Sequence, residues 1–159
     1  MKMLRQSVVL AAIAASMLVA APSAQAVIQV QRGISGIAIG MTPAQVTAGL
    51  SGPSHMTTGT NGFGPYTQYV YPGGMTITFQ GNTTVTAIAI SGPTDRTVRD
   101  VGIGSTLTAV KHGVRNIKCQ TFARITDCRV GKLIAGNRVT VFMLKHGRVT
   151  RVTIAILFE

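Results

Sequence analysis

A chain of 159 residues carries 15 Lys and Arg against 4 Asp and Glu, with 46% hydrophobic residues, 18 Gly, 2 Cys and no Trp. That length holds one domain or two small ones. The apolar content excludes intrinsic disorder. Two cysteines exclude a disulfide-scaffold miniprotein and a zinc site built from four thiolates, and four acidic side chains leave little for hydrolytic dyads or calcium cages.

The chain opens with Lys2 and Arg5, then an uncharged, mostly apolar run from Val8 to Ala20, then the small-x-small triplet Ala24-Gln25-Ala26. This three-part pattern predicts a secretory signal peptide over 1–26. The run is shorter than the ~20 residues a membrane span needs. Val27, not Cys, directly follows the cleavage site, and no second run of spanning length occurs. The expected mature chain therefore starts at Val27, has no lipid anchor or transmembrane span, and is periplasmic or secreted. Its charge is uneven. Residues 27–94 hold Arg32 alone, whereas 95–159 hold twelve basic and four acidic side chains.

Ile34, Ile37 and Ile39 read as a short helix or an extended lead-in, with the helix favoured. Thr42-Pro43-Ala44-Gln45 is a capping box with Pro at the first helical position. Val46 and Leu50 share one helical face, and Gly52-Pro53 stops the helix. Thr67 to Tyr71 is β-rich. Met75, Ile77 and Phe79 alternate with Thr76 and Thr78, as in a half-buried strand. Gln80-Gly81-Asn82-Thr83 turns the chain, and Val85 to Ser91 returns. Ser91-Gly92-Pro93-Thr94 reads as a linker.

The pattern then recurs at an offset of 64. Ile39-Gly40-x-Thr42 matches Ile103-Gly104-x-Thr106, Val46 matches Val110, Gly49 matches Gly113, and Val85-Thr86 matches Val149-Thr150. Thr106 is the expected cap of a second helix, with Gly113 its stop. Val139–Leu144 and Val149–Leu157 form a hairpin around Lys145-His146-Gly147-Arg148. Val141, Phe142, Met143 and Leu144 make both faces of the first strand apolar, which predicts a central position or one covering the junction between repeats. About sixty residues form a marginal core alone. The expectation is therefore an α+β protein of two tandem helix-plus-antiparallel-sheet repeats, the first over 27–93 and the second, basic one over 94–159.

The segment from Ile37 through Gly40-Met41-Thr42-Pro43-Ala44-Gln45-Val46 to Leu50 and Gly52-Pro53, followed by an antiparallel strand pattern, resembles the SmpA/OmlA (BamE-like) domain. That domain shares its fold with the tandem β-lactamase inhibitor protein. The likeness covers 34–91 best and 98–157 more faintly, where Ala109 replaces the Gln. It implies an envelope or secreted protein that works by binding other proteins.

Cys119 and Cys128 lie between the second helix and its hairpin. Export favours a disulfide between them over a reactive thiol pair. His55, His112 and His146 show no ligand spacing, so no metal and no cofactor is expected. No Gly-x-Ser-x-Gly elbow occurs. The Gly-rich loop 61–66 leads into a strand and gathers Phe63, Tyr66, Tyr69 and Tyr71, candidates for partner anchors or for sheet-covering aromatics. Of the basic side chains, Arg115, Lys118, Arg124, Arg129 and Lys132 are the candidate contacts for a polyanion. Export argues against nucleic acid and for anionic envelope polymers, lipid headgroups or an acidic protein. The reading is a non-enzymatic, exported protein-binding module. The alternatives are an electrostatic binder of anionic envelope polymers or lipids, and a small exported hydrolase.

Overall fold

The computed structural model describes residues 27–158; the expected signal peptide, 1–26, lies outside them. The described chain begins with three two-residue strands, β1 (Ile28–Gln29), β2 (Gly33–Ile34) and β3 (Ile37–Ala38), paired antiparallel in that order. The short helix favoured for this segment is replaced by a hairpin. Ser35 and Gly36 both hold positive φ, 52° and 81°, the two-residue turn whose twist matches paired strands. Ile28, Ile34 and Ile37 are buried by it.

Helix α1 (Pro43–Gly49) starts as the sequence dictates. Thr42 Oγ1 accepts the Gln45 N–H at 3.3 Å, and Gln45 Oε1 accepts the Thr42 N–H at 2.9 Å. Helix α2 (Leu107–Gly113) keeps half of that cap: Thr106 Oγ1 accepts the Ala109 N–H at 3.2 Å, and alanine has nothing to return. Each helix has seven residues and one fully buried side chain, Val46 or Val110. Helices this short persist by packing, not by propensity.

The remaining strands are β4 (His55–Asn61), β5 (Gly64–Tyr71), β6 (Met75–Gln80), β7 (Ala87–Ile90), β8 (Lys118–Phe122), β9 (Ile125–Val130), β10 (Arg138–Lys145) and β11 (Arg148–Ile156). They form one antiparallel sheet in the order β4-β5-β6-β7-β11-β10-β9-β8. This corrects the expected fold class. The protein is mostly β, built on a single eight-stranded sheet, and is not an α+β pair of helix-plus-sheet repeats. The decisive contact is β7 with β11, where Ile90 pairs with Val152 and Ile88 with Ile154. Two edges that would each need protection are joined instead. The offset of 64 persists within the single sheet: the helices span Pro43–Gly49 and Leu107–Gly113, and Gly40 N–H donates to Val85 O as Gly104 N–H does to Val149 O, both at 2.8 Å.

One face of the sheet carries the core. Ile77, Phe79, Ile88, Phe142, Cys128, Val152 and Ile154 are fully buried there and join Val46, Val110 and the isoleucines of β1 to β3 in one cluster. The other face, with Tyr66, Val70, Thr76, Thr78, Ala87, Ala89, Val141 and Met143, remains half-exposed. Strand β10 is interior to the sheet, as its two apolar faces required.

Candidate functional site

The aromatic candidates do not form one surface. Strand alternation sends Tyr69 and Tyr71 to the core face and Tyr66 to the other. Tyr69 packs on Phe79 with ring centroids 4.8 Å apart. Tyr71 is 6% exposed, and its hydroxyl finds no hydrogen-bond partner among the described residues. Burial, and secondarily Tyr69 beside it, pushes its phenol above the ordinary 10.0. Tyr66 lies over Gly59 of edge strand β4, where a Cβ would meet its hydroxyl at 2.6 Å. Phe63, at the β4–β5 turn, is exposed but leans on Phe158 at 5.5 Å. Of Phe63, Tyr66, Tyr69 and Tyr71, the last two thus pack on the core face, as sheet-covering aromatics do, while Phe63 and Tyr66 stay accessible.

The basic candidates converge better. Lys118 of β8 and Arg129 of β9 are directly opposite in register, and Lys132 follows on the loop after β9. These three line a cleft of about 550 Å³ with Gln31, Asn116 and Leu133. Arg115 lines the neighbouring cleft, while Arg124 sits in the β8–β9 turn and lines neither. Among the described residues the ion pair found is Arg96 with Asp100, at 3.4 Å; Asp127 lies two positions from Arg129 on the same strand face but makes no ion pair with the cations of the cleft.

The edge that carries these cations is held by the predicted disulfide. Cys119 and Cys128 are bonded and sit opposite each other in the β8–β9 ladder. The far wall comes from the first residues of the described chain. The Gln31 N–H donates to Thr140 Oγ1 at 2.7 Å and its Nε2 to Arg138 O at 2.7 Å. Gly131 makes room for this clamp, since a Cβ there would lie 2.9 Å from Gln31 Nε2 and 2.5 Å from Arg138 O.

Sequence reasoning missed Gln31, Asn116 and Gly131, which belong to no motif. It also missed Leu133 and Ile134, each 58% exposed beside Lys132. An apolar pair on a loop framed by Gly131 and Gly136 was a usable signal. His55, His112 and His146 stand at the start of β4, in α2 and in the β10–β11 turn, on separate elements. No group of three His, Cys, Asp or Glu suited to a metal occurs among the described residues. No helix among them is long and apolar enough to cross a membrane.

No family model and no curated protein matches the chain. Two solved structures are similar to it. An extracellular protein containing a SCP domain from Bacillus anthracis matches with a TM-score of 0.50 at 12% identity, over 74% of this chain and 44% of that one. A DUF4309 family protein from Bacillus subtilis gives 0.47 at 16% identity, over 78% and 84%. The chain spans under half of the first structure's length, and at that identity the likeness concerns the fold alone.

Proposed function

We propose that the chain is an exported, non-enzymatic binding module that engages an anionic partner of the cell envelope through the cleft of Lys118, Arg129 and Lys132. One observation carries the reading. Like charges directly opposite on neighbouring strands are destabilising, yet Lys118 faces Arg129 in the β8–β9 register, and among the described residues neither is ion-paired, not even with Asp127 on the same strand face. An anion bridging the pair would remove that repulsion. Export is supported by the pattern over 1–26 and by the Cys119–Cys128 disulfide, a bond that persists in oxidising compartments.

The test is a titration with inorganic polyphosphate. Affinity is expected to fall steeply with salt, as for exposed charges. It should be lost when Lys118, Arg129 and Lys132 are all changed to Gln, and survive in a control with Lys111 and Lys145 so changed. Equal loss in both sets would reduce the site to net charge.

A second reading has a protein partner on the open sheet face, where Val70, Val141 and Met143 remain half-exposed among Thr and Ala. It keeps the envelope protein partner implied by the SmpA/OmlA resemblance. Binding that persists in high salt and is lost on Met143→Glu would select it.

A further inference from the structure

We infer that the cationic cleft is one end of a longer groove that takes an anionic amphiphile, its single acyl chain lying beneath β1 and its headgroup among Lys118, Arg129 and Lys132. The inference rests on the cationic cleft proposed above and names its ligand class. A second cleft, also of about 550 Å³, abuts the first and shares Gln31, Asn116 and Val130 with it. It runs between β1, the segment Thr97–Arg99 and the end of α2. Ile28, Val114 and Val130, at 2%, 5% and 7% exposure, form its floor. Its volume is within the roughly 300–1,000 Å³ of small-molecule sites.

The lining favours a hydrocarbon chain over a peptide. A bound peptide needs a partner for each of its own amides. The N–H groups of Ile28, Gln31, Arg99 and Val114 already donate to Arg96 O, Thr140 Oγ1, Thr97 Oγ1 and Val110 O. The cleft thus offers aliphatic walls and few free backbone donors, with the side chains of Gln29, Arg99, Arg115 and Asn116 also in its lining. Beyond the shared residues the lining is Lys118, Arg129 and Lys132, and Arg99 and Arg115 stand beside the aliphatic floor as well, so a ligand filling both parts lays an apolar chain on that floor and carries an anionic group among the cations. Val98, 91% exposed, flanks the apolar part, and Leu133 and Ile134 flank the cationic part. Exposed aliphatics at both ends suit a ligand collected from a micelle or bilayer.

The experiment is calorimetric titration of the purified protein with butyl, octyl and dodecyl phosphate, each below its micelle concentration, beside the polyphosphate titration. One-to-one binding is expected, with affinity rising by up to about fourfold for each methylene buried. Val30→Trp, which plugs the apolar part, should abolish the chain-length dependence and leave polyphosphate binding in place. Val98→Asp, at an exposed position that does not endanger folding, should weaken dodecyl phosphate about tenfold or more. If dodecyl phosphate binds no better than butyl phosphate while polyphosphate still binds, the amphiphile is wrong and the cationic cleft stands. If neither binds, both fall. If dodecyl phosphate acts only through concentration-dependent self-association, the groove is a contact between copies and the inference is overturned.

Discussion

Gln31 donates its backbone N–H to Thr140 Oγ1 across 109 positions of sequence, at 2.7 Å. Thr140 is fully buried, with Phe142 and Leu144 following it on that face of β10, and its hydroxyl accepts the Gln31 N–H. Thr140→Val keeps the shape and strands a half-buried donor. It is expected to cost about 1–3 kcal/mol, read by urea unfolding. A cost near zero would mean that water replaces the hydroxyl and that the clamp does not hold the wall between the clefts.

Two helix-end glycines that the sequence presents as equivalents should behave oppositely. A Cβ on Gly113 would approach Val101 Cγ2 to 2.3 Å, while one on Gly49 would meet Ile37 Cδ1 at 3.6 Å, ordinary contact. Gly113→Ala should destabilise by about 1–3 kcal/mol through overpacking. Gly49→Ala should be neutral or stabilise by up to about 1 kcal/mol. Thermal midpoints of the two variants decide it, and equal shifts would refute the packing argument.

The disulfide closes a short loop, with Cys119 and Cys128 nine positions apart. Its reduction is expected to cost about 2–3 kcal/mol. Hydrogen exchange should rise first in β8, which is the sheet's outer strand on that side. Unchanged protection of β8 after complete reduction would show that the ladder needs no crosslink.

Removing a charge from the cleft should raise stability while lowering binding. Lys118→Gln relieves the repulsion with Arg129. It should stabilise by about a few tenths of a kcal/mol at low salt, less as salt rises. Destabilisation by this exposed substitution would remove the like-charge argument from the proposed function.

Tyr71 ties packing to pH. Its phenol is raised above 10.0 in the fold by burial first and Tyr69 second. As pH rises past the unfolded value the unfolded chain gives up the proton first, so the native state binds more protons and stability falls. Tyr71→Phe should flatten the fall in stability between about pH 8 and about pH 11. At neutral pH it should be neutral or stabilising, because the lost hydroxyl has no partner among the described residues.

Much of the local structure was legible. The Thr42 capping box, the alternation of Met75, Ile77 and Phe79, the interior place of β10 and the Cys119–Cys128 bond follow from short-range chemistry. The hairpin at Ser35-Gly36 was less so, since Ile34, Ile37 and Ile39 satisfy a helical spacing as readily as a turn between strands. Strands β4 and β8 escaped notice because they are sheet edges. Facing solvent along most of their length, they carry no apolar alternation to read.

The sequence by itself determined where α1 and α2 begin, which strand faces are apolar, and that the second half carries the charge. Tertiary structure alone decided that the strands make one sheet and that Gln31 reaches Thr140 beside Lys118 and Arg129. Local patterns arise from neighbours a few residues apart. The pairing of β7 with β11 and the clamp at Gln31 join residues more than sixty positions apart, and no periodicity records such a choice.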